Sequence, residues 1–237
     1  MHINEKFEVH NTLNPKLWSN DNKLIPEVAD RLHQIVDQFV TVSGVPLEIC
    51  DIHIVGSQAS YNYTQFSDLD VHIIANFEVI DADPNVLQLL YNSAKSKFNS
   101  DYDITIKGID VEMYVEDVKS SVTSNGIYSL VSNSWVKFPT KLDDIVHPDI
   151  VQSLSEWQSR IEYVLKTGNS EDITDMINHI YIMRKNSLST QGEYGEGNLL
   201  FKEIRNAGLL KMLKDAYVSK RSQELTLEKL QLNDAAL

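Results

Sequence analysis

The feature that most constrains this chain is a pair of short apolar runs joined by a polar loop that carries two aspartates. The first run, residues 48–55, alternates apolar and polar side chains and ends at Gly56, which predicts a strand and a tight turn. The second run, residues 69–75, predicts a buried strand that begins just after Asp68 and contains Asp70. Because side chains alternate across a strand, the two carboxylates are expected on one side, where they can hold hard cations through oxygen at about 2.1 Å.

The dipeptide Gly56-Ser57 supplies chemistry that complements two carboxylates. Glycine lets the backbone approach a ligand closely, and loop N–H groups with a serine hydroxyl can hold phosphate oxygens. The order Gly-Ser, ten residues, Asp-x-Asp, with an apolar strand on each side, resembles the signature of the nucleotidyltransferase superfamily, which has the fold of DNA polymerase β. The resemblance covers about residues 48–115 and implies a third acid on a neighbouring strand.

Two candidates for the third acid stand in residues 104–115, where Asp110 and Glu112 share one face of a predicted strand. The superfamily at large usually has an Asp flanked by apolar residues, which favours Asp110. Residues 111–115 also resemble uncharacterised nucleotidyltransferase-like proteins of tailed phages, in which the Glu is the better match. We therefore expect Asp68, Asp70 and Glu112 to bind the metal, with Asp110 as the rival third acid.

The resemblance also implies cofactors and a reaction. It implies two Mg²⁺ ions about 4 Å apart and a nucleoside triphosphate, with ATP the expected one. The nucleoside monophosphate is transferred to a hydroxyl acceptor and pyrophosphate is released; a small molecule, a protein and an RNA end all remain open as acceptors. Two other interpretations remain: a catalytically degenerate member that acts as a binding or regulatory module, and a structural Mg²⁺ or Ca²⁺ site in an unrelated α+β protein.

Further binding residues are expected outside the acidic centre. In the superfamily the loop after Ser57 begins as a short helix that faces the triphosphate, so Tyr61 or Tyr63 could line the nucleotide pocket; alternatively, both tyrosines pack the loop. Residues 191–198 are glycine-rich and polar. The resemblance favours this loop, with Lys202 and Arg205, as a phosphate contact, whereas the other interpretation is a connector with solvated charges. His72, on the predicted face of Asp70, is expected to be a structural hydrogen-bonding residue.

Composition excludes some functions. The formal charge is −13, and residues 1–142 and 143–237 are both acidic, which argues against a broad surface for duplex nucleic acid. No secretion signal or span of about 18 apolar residues is present, so a cytoplasmic protein without membrane association is expected. Cys50 is the single cysteine; it cannot form an internal disulfide, which fits a reducing compartment, and its place in the first strand predicts burial.

The remaining pattern predicts an α+β fold, with a small mixed sheet and flanking helices in a palm-like catalytic domain, residues 1–142, followed by a helical bundle, residues 143–237. In the first domain we predict helices at residues 26–42 and 84–99, a hairpin turn at residues 107–108, and short strands at residues 127–131 and 135–138. The second of these helices crosses between strands and carries Lys95, which is expected to be solvated. In the second domain, three helices are predicted to begin at Pro148, at a Ser170 cap and near an Asn198 cap.

Overall fold

The structure is a computed structural model that describes residues 9–44, 46–120, 124–141 and 149–227. The chain divides into two compact units, residues 1–145 and 146–237. The predicted boundary between residues 142 and 143 lies outside the described residues and stays a prediction. The fold class is confirmed as α+β, since a mixed sheet with flanking helices is followed by helices alone. No helix in the described ranges has the length and apolar character needed to cross a membrane.

The described part of the first unit contains two α-helices and a six-stranded sheet. In chain order these elements are α1 Pro26–Ser43, β1 Ile49–Val55, β2 Leu69–Ala75, α2 Pro84–Asp101, β3 Thr105–Ile106, β4 Ile109–Asp117, β5 Ile127–Ser129 and β6 Ser134–Lys137. The strand order is β3-β4-β2-β1-β5-β6. Only the β2–β4 pair is parallel among these strands, because α2 carries the chain across the sheet between them.

Local signals explain these elements. Helix α1 has Pro26 in its first turn and ends at Gly44, which adopts a left-handed φ of 62°. Helix α2 begins where the Asp83 side chain accepts a hydrogen bond from the Asn85 N–H at 2.8 Å. The predicted hairpin at residues 107–108 is confirmed, and both residues have positive φ, as a two-residue hairpin turn requires.

The core of the first unit lies on one face of the sheet. Its members are at most 9% exposed, and they come from the sheet, from α1 and α2 and from the leader that precedes α1. From the central strands they include Ile52, Ile54, Leu69, Val71, Ile73, Val111, Met113 and Val115. The predicted burial of Cys50 is wrong, because this side chain is exposed. Cys50 stands where the β1–β2 register shifts between Ile49 and Asp51, so the strand alternation does not extend to it.

The described part of the second unit consists of four helices, namely α3 Asp149–Thr167, α4 Ser170–Gln191, α5 Glu196–Asn206 and α6 Leu209–Leu225. Their apolar stripes form one buried cluster that includes Trp157, Ile161, Ile173, Ile180, Phe201 and Leu213. The predicted start at Pro148 lies outside the described residues.

Two predicted caps and one predicted helix are wrong. Asn169, rather than Ser170, caps α4, because its side chain accepts from the Asp172 N–H while the Asp172 carboxylate accepts from the Asn169 N–H. Asn198 lies inside α5, which starts after Gly195, and its Nδ2 donates to the Glu193 carbonyl. The predicted third helix is in fact two helices, α5 and α6. They are separated at Gly208, whose φ is 75°.

Candidate active site

The face of the sheet opposite the core carries the predicted acids. On β2 and β4 the polar side chains alternate with the buried ones, and the parallel register places Asp70 beside Glu112 and His72 beside Tyr114. Residues in register on adjacent strands project from the same face, with the strands about 4.8 Å apart. The Asp70 and Glu112 side chains therefore project from neighbouring positions on the same face of the sheet.

The same register distinguishes the two candidates for the third acid. Leu69, the first residue of β2, pairs with Val111, so Asp110 stands at the level of Asp68, before β2 begins. Asp110 pairs with Thr105 of the short β3 and is exposed, whereas Glu112 is half buried. Glu112 is thus aligned with Asp70, and the ligand roles of these acids stay a prediction.

The turn at the end of β1 lies directly against Asp70. Val55 pairs with Asp70 across the β1–β2 ladder, and Gly56 follows with a φ of 72° and a ψ of −154°, a conformation found essentially only for glycine. A Cβ atom at Gly56 would lie 2.2 Å from Oδ2 of Asp70. The close approach of backbone to carboxylate therefore requires glycine at position 56, and it joins the Gly-Ser turn to the acidic pair.

One buried side chain holds both ends of the loop between Ser57 and Asp68. Gln58 Oε1 accepts from Asn14 Nδ2 at 2.9 Å, and Gln58 Nε2 donates to the Ser67 carbonyl at 2.8 Å. The Gln58 carbonyl also accepts from Trp18 Nε1 at 2.7 Å. Sequence reasoning missed Gln58, since a glutamine within a polar loop belongs to no periodic pattern.

The loop tyrosines contact their own chain. Ser57 opens one turn of 3-10 helix, Ser57–Ala59. Tyr61 packs against the core cluster, and Tyr63 stacks on His10 with ring centroids 3.9 Å apart. Burial raises the pKa of the Tyr63 phenol, an effect that the hydrogen bond with Thr12 opposes. These contacts favour the packing alternative, and a nucleotide contact by Tyr61 stays a prediction.

The donor chemistry of the acids fits Mg²⁺, which prefers carboxylate oxygens. Asp68 and Asp70 are half buried, and one oxygen of Glu112, Oε2, accepts a hydrogen bond from the Tyr114 hydroxyl at 2.5 Å. Within the described ranges, no three or more His, Cys, Asp or Glu side chains are arranged to hold a metal ion. Binding of Mg²⁺ by Asp68, Asp70 and Glu112 accordingly remains a proposal.

A second row of polar contacts lies beside these acids. His72 Nδ1 is 2.9 Å from Glu116 Oε1, and this contact lowers the pKa of Glu116, which burial alone would raise. His53, in register with His72, places Nε2 3.1 Å from Asp51 Oδ2. The contact with Glu116 agrees with the structural role expected for His72.

The basic residues predicted near the glycine-rich loop belong to the second unit. Lys202 and Arg205 lie on α5, and both are half buried and interact with other groups. Close to them the Arg184 guanidinium lies 4.3 Å from the centre of the Phe201 ring. Phosphate binding by Lys202 and Arg205 stays a prediction.

Comparison with known proteins adds one structural similarity. No family model and no curated protein matches the chain. Among solved structures, the chain is similar to a STING-associated CdnE c-di-GMP synthase from Capnocytophaga granulosa, with 14% identity over 89% of this chain and 90% of that one. The TM-score is 0.26. At such a TM-score the similarity carries no argument, so the functional conclusion depends on the site itself.

Proposed function

We propose that this chain is a metal-dependent nucleotidyltransferase that transfers a nucleoside monophosphate from a nucleoside triphosphate to a hydroxyl acceptor. The observation that carries the proposal is the arrangement of Gly56, Asp70 and Glu112. Gly56 has a backbone conformation found essentially only for glycine, a Cβ atom there would lie 2.2 Å from Oδ2 of Asp70, and Glu112 stands in register with Asp70 on the neighbouring strand. A turn that can hold phosphate thus lies beside two carboxylates that can hold a cation.

Each of the candidate site residues has a proposed role in this reaction. Asp68 and Asp70 would hold the Mg²⁺ ions, and bound Mg²⁺ would supply positive charge that neutralises the triphosphate and polarises the attacking hydroxyl. The Ser57 N–H and hydroxyl of the Gly56-Ser57 turn would contact the phosphates, whereas the Gly56 N–H donates to Ser124 Oγ at 3.2 Å. Glu112 would be the third ligand. We expect ATP as the nucleotide and a reducing cytoplasm as the location.

The reaction balances with these groups. The acceptor hydroxyl oxygen forms a bond to the α-phosphorus, and the bond from that phosphorus to the oxygen bridging to the β-phosphate breaks, so that pyrophosphate leaves. Glu112 accepts the hydroxyl proton. Its Oε2 accepts from Tyr114; a carboxylate has about four lone-pair sites in all, so the side chain can bind the cation through one lone pair and accept the proton at another.

A direct test is pyrophosphate release from each of the four nucleoside triphosphates with Mg²⁺, in the presence of pooled small hydroxyl compounds, proteins or RNA. We expect release with at least one pool for the wild type and none for Asp70→Asn. The matched control is Asp30→Asn, the same chemical change at an exposed position on α1. Triphosphate binding without release from any pool would instead indicate the binding or regulatory module.

A further inference from the structure

We propose that Ser124 is a positioning residue that holds the Gly56-Ser57 turn in the conformation in which the turn contacts the phosphates of the nucleotide. This inference rests on the proposed function, because it assigns a partner to the turn that is proposed to contact phosphate. The Ser124 side chain is buried, and its Oγ accepts a hydrogen bond from the Gly56 N–H at 3.2 Å. The two residues are 68 positions apart in the chain, so no local sequence pattern joins them.

The turn depends on such a partner because it is built on a glycine. Gly56 adopts a conformation found essentially only for glycine, and glycine loses more conformational freedom on ordering than any other residue. The Gly56 carbonyl accepts from the Ala59 N–H at 3.2 Å, which fixes the peptide group that contains the Ser57 N–H. The bond from the Gly56 N–H to Ser124 fixes the preceding peptide group. Together the two hydrogen bonds determine the direction of the Ser57 N–H.

The segment that carries Ser124, residues 124–126, is itself fixed along the turn. Asn125 Nδ2 donates to Ser60 Oγ at 2.9 Å. A Cβ atom at Gly126 would lie 1.9 Å from the carbonyl oxygen of Ala59, so the two backbones approach as closely as glycine allows. Each residue of the segment therefore contacts the stretch 56–60, and Ser124 is part of a continuous support for the turn.

The Ser124 contact decides which groups of the turn are left for a ligand. Because the Gly56 N–H donates to Ser124, the phosphate contacts proposed for the turn fall to the N–H and hydroxyl of Ser57. A ligand gains most affinity from donors that are already oriented toward it. The net contribution of one hydrogen bond of this kind corresponds to about 2- to 10-fold in affinity.

Two measurements on Ser124→Ala test this role without any assay of turnover. Amide hydrogen exchange followed by NMR should show that the Gly56 N–H loses protection, because its acceptor is removed. Calorimetric titration of each of the four nucleoside triphosphates with Mg²⁺ gives the second quantity. For the triphosphate that the wild type binds most tightly, we expect Ser124→Ala to weaken binding by about 2- to 10-fold.

The matched control is Ser129→Ala. It also removes a buried hydroxyl that accepts from a backbone N–H, in this case from Ser132 at 3.0 Å. We expect this variant to change neither the exchange of the Gly56 N–H nor the affinity for the triphosphate. An equal loss of affinity in the two variants would overturn the positioning role, because the loss would then follow from removing any buried hydroxyl of the unit.

The remaining outcomes separate this inference from the proposed function. Exchange of the Gly56 N–H at the wild-type rate in Ser124→Ala would overturn the contact on which the inference depends. If the wild type binds a triphosphate with Mg²⁺ and Ser124→Ala binds it equally well, only this inference fails. If the wild type binds none of the four, the proposed function fails with it.

Discussion

The two faces of the same sheet differ in what their side chains do. On one face, Val71 and Met113 stand in register and are fully buried beneath helices. On the other face, one residue away along each strand, Asp70 and Glu112 stand in register and are half buried. The backbone hydrogen bonds are common to both faces, so strand alternation alone separates the residues that stabilise the fold from those that form the candidate site.

This difference teaches that the pairing register, as well as the motif, distinguishes the two candidates for the third acid. Alternation places Asp110 and Glu112 on the polar face alike, and only the parallel pairing of β2 with β4 aligns Glu112 with Asp70. Substitutions on the polar face should therefore affect ligand binding at nearly constant stability, whereas substitutions on the apolar face should affect stability first.

The largest expected difference is between substitutions on the polar face and substitutions on the apolar face of the sheet. Asp70→Ala and Asp68→Ala should each abolish pyrophosphate release while the free energy of unfolding stays within about 0.5 kcal/mol of the wild type. Met113→Ala should instead cost about 2–5 kcal/mol of stability, because it leaves a cavity in a packed core. Denaturant unfolding together with the release assay measures both quantities. Release at the wild-type rate in either aspartate variant would contradict the assignment.

The glycine that joins the turn to the acids should be the next most sensitive position. We expect Gly56→Ala to cost about 1–3 kcal/mol for its backbone conformation and to displace the Asp70 carboxylate, with loss of binding of Mn²⁺, a paramagnetic substitute for Mg²⁺ whose unbound form is followed by electron paramagnetic resonance. The control is Gly44→Ala, which also has a positive φ but open space around a Cβ atom. It should lower the free energy of unfolding and leave Mn²⁺ binding intact. Equal Mn²⁺ affinity in the two variants would argue against the contact as part of the site.

A smaller difference is expected between the two candidates for the third acid. Glu112→Gln should lower pyrophosphate release by at least about 100-fold, because it removes the charge in register with Asp70. Asp110→Asn, on the exposed stretch beside β3, should retain at least half of the wild-type rate. Initial rates at saturating nucleotide decide between them. The reverse order of effects would make Asp110 the third acid.

The smallest effect concerns the pH dependence of stability. The His72 contact lowers the pKa of Glu116, so its stabilisation is complete above the ordinary glutamate pKa of about 4.3 and is lost as the pH falls through the lowered value. Since Glu116 is partly exposed, we expect at most about 1 kcal/mol. His72→Phe should flatten the acid side of the stability profile, whereas His33→Phe, on the exposed side of α1, should not. Unfolding curves from about pH 7 to pH 3 test this, and superimposable profiles for wild type and His72→Phe would exclude the coupling.

Much of the first unit could be predicted from residue patterns. The alternation in β1 and β4, the helical spacing in α1 and α2 and the turn at residues 107–108 are local properties, and local sequence determines them. The break between α5 and α6 is not predicted from periodicity, because the apolar spacing continues on both sides of Gly208; the local signal for it is the glycine itself, which adopts a left-handed conformation.

For the candidate site, the sequence proposes residues but gives no information about their contacts. Motif and spacing propose Gly56, Asp70 and Glu112 as site residues, and the structure brings these three positions together on adjacent strands and the turn that follows β1. The expectation of a solvated Lys95 is wrong, because its ammonium lies over the Tyr114 ring. Such contacts join residues distant in sequence, as do those of Gln58 with the leader, and single-sequence periodicity contains no information about them.

The most direct test of the central claim is calorimetric titration of each nucleoside triphosphate, with and without Mg²⁺, into the wild type and Asp70→Ala. We expect binding of at least one triphosphate that requires Mg²⁺ and is lost in Asp70→Ala. Binding that is independent of both Mg²⁺ and Asp70, or no binding of any of the four, would contradict a nucleotidyltransferase site on this face of the sheet.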